Sequence, residues 1–590
     1  MTNQRIDERP IEPAGGAVDP LREPQAAPVE PVIVAPRPRT SLRWAIALVV
    51  VALVAGTASA AFIALSGSTA SSTVAQWAPA DSVMYEELRL DLPGDQHAGL
   101  GQFLSAFPGF ADQASLDAKL DEAYDKIVSG ASTGSQDYVT KIKPWFGGQV
   151  AIAMPTVPVV SAAGAVPRAR VAMIASVTDA AGASAWLATI GSPAGSTSTV
   201  YGGVQLTVSG GSGQQYAYGV DGPVLIVGDV QTVHDVIDTK GATGLATTDG
   251  FKEAVGAFRG DHLAFAYGDA KRLMAGLQAS MPGGGTTIPQ AVLDNLPAWY
   301  GVAVQASGDH LTFDAAAPRM ATSIATTDRT STLAGRLPGS TVAEFEVHDL
   351  GKLIKAGIDA NAASPAYADT IKTLTDALDR VGGLDSFTSW IGDTSVAVTL
   401  DGSTWGGGLV IALPDAASTD TAAGKLATIR NLAALAGGGG VSVTDATYDG
   451  ATITTLDLGD LSSLARSASL PSGTATARLS LSYTLNDGLV IFGAGGDGFV
   501  KAVLDTKAGS SLADQARYRT AIDAAGGANG SQGYLDLRAV IEAVQADLPA
   551  TQRTQFDRDV KPYVDPFQAI GLAGHGGEIQ HVMTVLTVGK

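Results

Sequence analysis

Short runs of alternating apolar and polar residues mark strands along this chain. Residues 83–90 (VMYEELRL) and 342–349 (VAEFEVHD) are two such runs, placing odd and even side chains on opposite faces. Each precedes a stretch with helical period, in which Leu116, Leu120, Tyr124 and Ile127, or Ile371, Leu374, Leu378 and Val381, share one face. Strands are then expected at 149–154 and 170–177, and again at 395–400 and 408–413. Helices are expected at 180–190 and 419–435, followed by several strands. Asp221-Gly222 and Asn486-Asp487-Gly488 read as hairpin turns.

The whole pattern occurs twice. VDGPVLIVGDVQTVHDVIDTK (220–240) returns as LNDGLVIFGAGGDGFVKAVLDTK (485–507), each ending in Asp-Thr-Lys. Leu187-Ala188-Thr189-Ile190 returns as Leu426-Ala427-Thr428-Ile429, and Tyr201-Gly202-Gly203 as Tyr448-Asp449-Gly450. Trp145-Phe146-Gly147 returns as Trp390-Ile391-Gly392, and Tyr267 with Asp269 as Tyr534 with Asp536. Landmarks in the same order predict two tandem homologous repeats, 78–318 and 336–590, joined by a polar connector at 319–335. Hairpin-linked strands followed by helices predict an α+β fold, each repeat a mainly antiparallel sheet with packed helices.

Residues 44–65 carry no charge, and as a helix would rise about 33 Å, enough to cross a bilayer core. Arg37, Arg39 and Arg43 precede them, and no basic residue follows until Arg89. The asymmetry predicts one N-terminal transmembrane helix, with the N-terminus cytoplasmic and residues 78–590 outside the cell membrane. Ala58-Ser59-Ala60 leaves a cleaved signal peptide as the alternative. Residues 1–43 hold eight prolines, six arginines and six acidic residues, which predicts a disordered cytoplasmic tail. Residues 66–77 read as a polar tether.

Composition narrows the chemistry. The net charge is −20, which disfavours nucleic acid as a partner. There is no cysteine, so disulfides, thiol catalysis and thiolate metal sites are excluded.

Pro79-Ala80-Asp81-Ser82-Val83, Tyr85-Glu86-Glu87-Leu88, Leu92-Pro93-Gly94-Asp95-Gln96, residues 103–110 (FLSAFPGF) and Phe146-Gly147-Gly148-Gln149-Val150 together resemble the bacterial domain of unknown function 3352 family. The resemblance implies an exported protein behind one membrane segment. It implies no activity and carries over no site residues.

Several residues invite a functional reading. Gly493-x-Gly495-x-x-Gly498 has the spacing of a dinucleotide-binding loop, but the segment from Gly228 in the other repeat lacks the glycines, and the preceding strand enters through a hairpin. A flexible turn is the simpler expectation. Asp269, Asp349 and Asp536 each end a strand before a helix and are expected to cap it. Glu86 aligns with Glu346, which puts Tyr85 and Phe345 on the opposite, buried face. This pair is the carboxylate pair to test first, although a solvated strand face explains it. Histidines 97, 234, 262, 310, 348, 575 and 581 form no compact metal-binding spacing; His575 and His581 could face each other across a hairpin. The stretches 194–199 and 436–440 read as loops. No catalytic, cofactor-binding or metal-ligating residue is nominated, and no cofactor is expected.

The expected function is non-catalytic binding of an envelope ligand, lipid among them, or of a protein partner, by a membrane-anchored extracytoplasmic protein. The alternatives are a cell-envelope hydrolase with a scattered active site, and a scaffold with the Pro-rich tail as its cytoplasmic arm.

Overall fold

The computed structural model describes residues 72–589, apart from 111, 133–135, 160–167, 191–194, 211–214, 281–289, 321–323, 325, 363–366, 380–381, 436–441 and 461–477. The expected tail, the expected membrane segment 44–65 and half of the expected tether lie outside the described residues, as does the expected loop 436–440. Among the described residues, no helix is long and apolar enough to cross a membrane.

The first half contributes β1 (Met84–Arg89), β2 (Phe146–Val159), β3 (Arg168–Val177), β4 (Thr197–Tyr201), β5 (Val204–Ser209), β6 (Tyr216–Asp221), β7 (Val224–Asp229), β8 (Ala264–Gly268), β9 (Tyr300–Ser307) and β10 (His310–Pro318). The second contributes β11 (Thr341–Val347), β12 (Thr394–Asp401), β13 (Thr404–Ala412), β14 (Ser442–Tyr448), β15 (Ala451–Asp460), β16 (Arg478–Asn486), β17 (Leu489–Ala494), β18 (Ser531–Leu535), β19 (Phe567–His575) and β20 (Ile579–Val588). All twenty belong to one sheet. In space the first half runs β4-β5-β6-β7-β3-β2-β1-β8-β9-β10. β10 pairs with β20, and the second half then runs β20-β19-β18-β11-β12-β13-β17-β16-β15-β14. Every one of these pairings is antiparallel, so the fold is α+β on a large antiparallel sheet. The second order mirrors the first about the central pair.

Local chemistry explains the element boundaries. Asp487 (φ 46°) and Gly488 (φ 72°) both take left-handed conformations, the geometry a two-residue hairpin turn requires. The helix Val230–Thr239 starts where the Asp229 carboxylate accepts the Thr232 N–H and stops at Lys240, which adopts φ 48°. Tyr201 donates to Asp238 at 2.7 Å, and Tyr448 donates to Asp505 at the same distance, so the paired landmarks of the sequence meet in each half.

Among the described residues six apolar clusters hold the sheet, and the three largest span it. One, under the first half, includes Tyr85, Ile174, Ile226, Val236 and Trp299. A second, under the other half, includes Leu333, Val410, Ile491, Phe499 and Tyr534. The third crosses the junction, packing Phe103, Phe107, Val304 and Leu311 with Phe567 and Val588. Thr73–Trp77, assigned to the tether by composition, form a helix that buries Val74, Ala75 and Trp77. Leu333 and Ala334, assigned to the connector, are buried in the same way.

Candidate functional site

The strands β1 and β11 turn charged side chains inward. Tyr85, Glu87 and Arg89 are buried on β1; Glu344, Glu346 and, just past its end, His348 are buried on β11. Strand register fixes the correspondence. Tyr85 lies opposite Tyr267, whereas Glu344 lies opposite Tyr534, so Glu346 corresponds to Glu87 and His348 to Arg89. The expected pairing of Glu86 with Glu346 is therefore one residue out of step. A one-residue slip in a strand moves every side chain to the other face. Glu346 is fully buried and Phe345 is 50% exposed, the reverse of the expectation.

In the first half Arg89 neutralises its surroundings. It holds both Asp91 oxygens at 2.7 Å and lies 3.6 Å from Glu87. Tyr85 donates to Glu87 at 2.7 Å, and Gln149 donates to Asp91 at 3.3 Å. Burial pushes the Glu87 carboxyl up.

In the second half the cluster is Glu346, His348, Asp393 and Arg329. His348 Nδ1 stands 3.4 Å from Glu346 Oε1 and 3.4 Å from Asp393 Oδ2. Ser331 donates to Glu346 Oε2, while the Asp349 N–H (3.0 Å) and Arg329 donate to Asp393 Oδ1. Glu346 Oε1 and both His348 nitrogens have no hydrogen-bond partner. Burial pushes Glu346 up to about 7. Burial also acts to raise Asp393, but His348, the Asp349 N–H and Arg329 outweigh it and hold that carboxyl at about 2. Asp393 has no counterpart in the sequence reading; it is distant from Glu346 along the chain, and only the β11–β12 pairing brings it close.

The opposite face of the sheet is apolar. Cross-strand partners place Leu88, Ala264, Val304, Phe313, Thr584, Leu572, Gly533, Phe345 and Val396 in a single row. The junction cluster covers the middle of it. On either side the row is bare: Leu88 is 40% exposed, Phe345 50% and Val396 54%. Glu86 shares this face, between Ile152 and Ala266, and burial pushes its carboxyl up to about 7. A cleft of about 670 Å³ opens where the halves meet, lined by Phe107, Pro108, Arg517, Arg538 and Asp565 among others. Both of its arginines are paired, with Asp536 and Asp565.

The remaining sequence candidates take structural positions. Asp269 and Asp536 accept the N–H of Arg272 and Ala539, as helix caps do. Asp349 sits at φ 50° and instead binds Arg329 and Lys352. Gly493 lies near the end of β17, which is antiparallel to both neighbours and so lacks the parallel setting of a dinucleotide-binding loop. His575 and His581 do lie opposite each other, but His575 bonds the Ala525 carbonyl and His581 bonds Asp314, so neither is a free surface group.

His262 is fully buried with neither nitrogen hydrogen-bonded. Burial lowers its pKa from 6.5 to about 4. The unfolded chain binds this proton more readily, so the stability is whole above pH 6.5 and is lost as pH falls towards 4. Replacing His262 with leucine is expected to remove about 1–2 kcal/mol of the stability difference between pH 7 and pH 5, measured by urea denaturation.

Among solved structures, crystal form I of TP0453 aligns at 9% identity and a TM-score of 0.22, covering 43% of this chain and 82% of that one. Crystal form III aligns at 11% identity and a TM-score of 0.19, covering 42% and 81%. No curated protein matches. The family described as "Protein of unknown function (DUF3352)" matches residues 44–586, and the chain belongs to that family.

Proposed function

We propose that this is a single-pass membrane protein whose two homologous repeats lie outside the cytoplasm and carry an apolar envelope ligand, the acyl chain of a lipid, without catalysis. The observation that carries the reading is the apolar row across one sheet face, left bare at Leu88 on one side and at Phe345 and Val396 on the other. Phe345 and Val396 are adjacent across β11 and β12, and neighbouring exposed apolar side chains of this kind mark an interaction site. The mirrored strand order and the matching Tyr201–Asp238 and Tyr448–Asp505 bonds support the repeat reading. The anchor rests on the uncharged segment 44–65 and the arginines before it.

The test is binding of a fluorescent long-chain fatty acid to the purified full chain. The double substitution Phe345→Asp, Val396→Asp is expected to weaken binding at least about tenfold. It should change stability by less than about 1 kcal/mol, because both side chains are half exposed. Equal binding by the two proteins, or none by either, would refute the carrier reading.

A further inference from the structure

We propose that Glu346, His348 and Asp393 form a binding site for one divalent transition-metal ion of the zinc class, through Glu346 Oε1, His348 Nδ1 and Asp393 Oδ2. The proposal is independent of the apolar ligand, since the cluster lies on the other face of β11.

Four observations converge. The three ligand atoms lie within 4.8 Å of one another, and the two edges that meet at His348 Nδ1 are both 3.4 Å. A tetrahedral ion with bonds of about 2.0–2.1 Å has ligand-to-ligand edges of about 3.4 Å, which the two edges at His348 Nδ1 already match. Glu346 Oε1 and His348 Nδ1 are buried and lack hydrogen-bond partners, whereas the far oxygen of each carboxylate is already held. Ser331 fixes Glu346, and Arg329 with the Asp349 N–H fixes Asp393, the outer support that orients metal ligands. Arg329, which bonds Asp393, is 38% exposed, so this side of the cluster borders solvent.

The fourth observation is the first half. At the register position of His348 it carries Arg89, a fixed cation beside Glu87. The second half has an imidazole there, which cannot supply a permanent charge but can ligate one. One built-in cation is thus replaced by a ligand for an exchangeable one. The donor set selects the ion: an imidazole with two carboxylates suits zinc, while calcium takes six to eight oxygens.

The test uses the full chain in detergent, stripped with a chelator and titrated calorimetrically with Zn²⁺. The expected result is one ion per chain and a Tm raised by about 2–4 °C. His348→Arg, which installs the side chain found in the first half, is expected to fold and to raise the Kd for zinc by about 100-fold or more. Asp393→Asn should weaken binding in the same direction. Co²⁺ added to the unsubstituted protein should give the strong visible absorption of a tetrahedral site, a readout that requires no variant to fold. The proposal is overturned if the stripped protein binds no zinc, if His348→Arg binds it equally well, or if bound cobalt shows only the weak bands of octahedral coordination.

Discussion

Replacing Arg89 with methionine is expected to destabilise the protein by about 3–5 kcal/mol at neutral pH. Arg89 and Glu87 are almost fully buried, and Asp91 is partly exposed. Methionine fills much of the volume but removes the charge, leaving Glu87 buried with no cation beside it. Water can solvate Asp91, and it cannot reach Glu87. The Glu87 carboxyl is already raised by burial, and losing Arg89 raises it further. A raised folded-state pKa means that stability is kept at acid pH and lost as pH rises through that value. The deficit of Arg89→Met should therefore shrink at acid pH. Adding Glu87→Gln should recover most of it, because an uncharged amide can stay buried beside the Tyr85 hydroxyl. Urea denaturation of the unsubstituted protein and the two variants at two pH values measures both effects. An equal deficit at both pH values would point to lost packing around the arginine stem instead.

Phe107→Ala is expected to cost about 3–5 kcal/mol, the range for removing a buried aromatic ring. Phe107 is 5% exposed, and its ring meets Phe567 edge-on with centroids 5.3 Å apart. These two rings come from different halves, within the cluster that crosses the β10–β20 junction. The loss should consequently appear as one shifted unfolding transition for the whole sheet. A double-mutant cycle with Phe567→Ala should show a coupling of about 0.5–1.5 kcal/mol. Two separate transitions, only one of them shifted, would mean that the halves are stable without each other.

Many strands and helices were readable because their signals are local, but the helix Thr73–Trp77 fell in the expected tether and the strand Thr197–Tyr201 overlaps the expected loop 194–199. The alternation in 83–90 and 342–349 gave β1 and β11, and Asp487-Gly488 gave a hairpin turn. Face assignment failed at Glu346 for an equally physical reason. Reading it as solvent-facing assumes that the charged side of a strand is wet, and here the charged side is the buried one. Phe345 was misplaced by the same assumption. The Glu346–His348–Asp393 cluster was hidden because Asp393 joins Glu346 and His348 only through strand pairing. The mirrored strand order was hidden too, since no local pattern says that β10 will find β20.

That central pairing has a consequence for the order of assembly. Asp314 in β10 and His581 in β20 meet from positions 267 residues apart. Closing so long a loop is slow. As the chain is synthesised, the first half can form nine neighbouring pairings while β10 still presents an open edge. Such an edge invites pairing with other chains until its own partner arrives. The interval between the emergence of β10 and that of β20 is thus the period when this protein is most exposed to misassembly, and a chaperone acting on it would be needed most then.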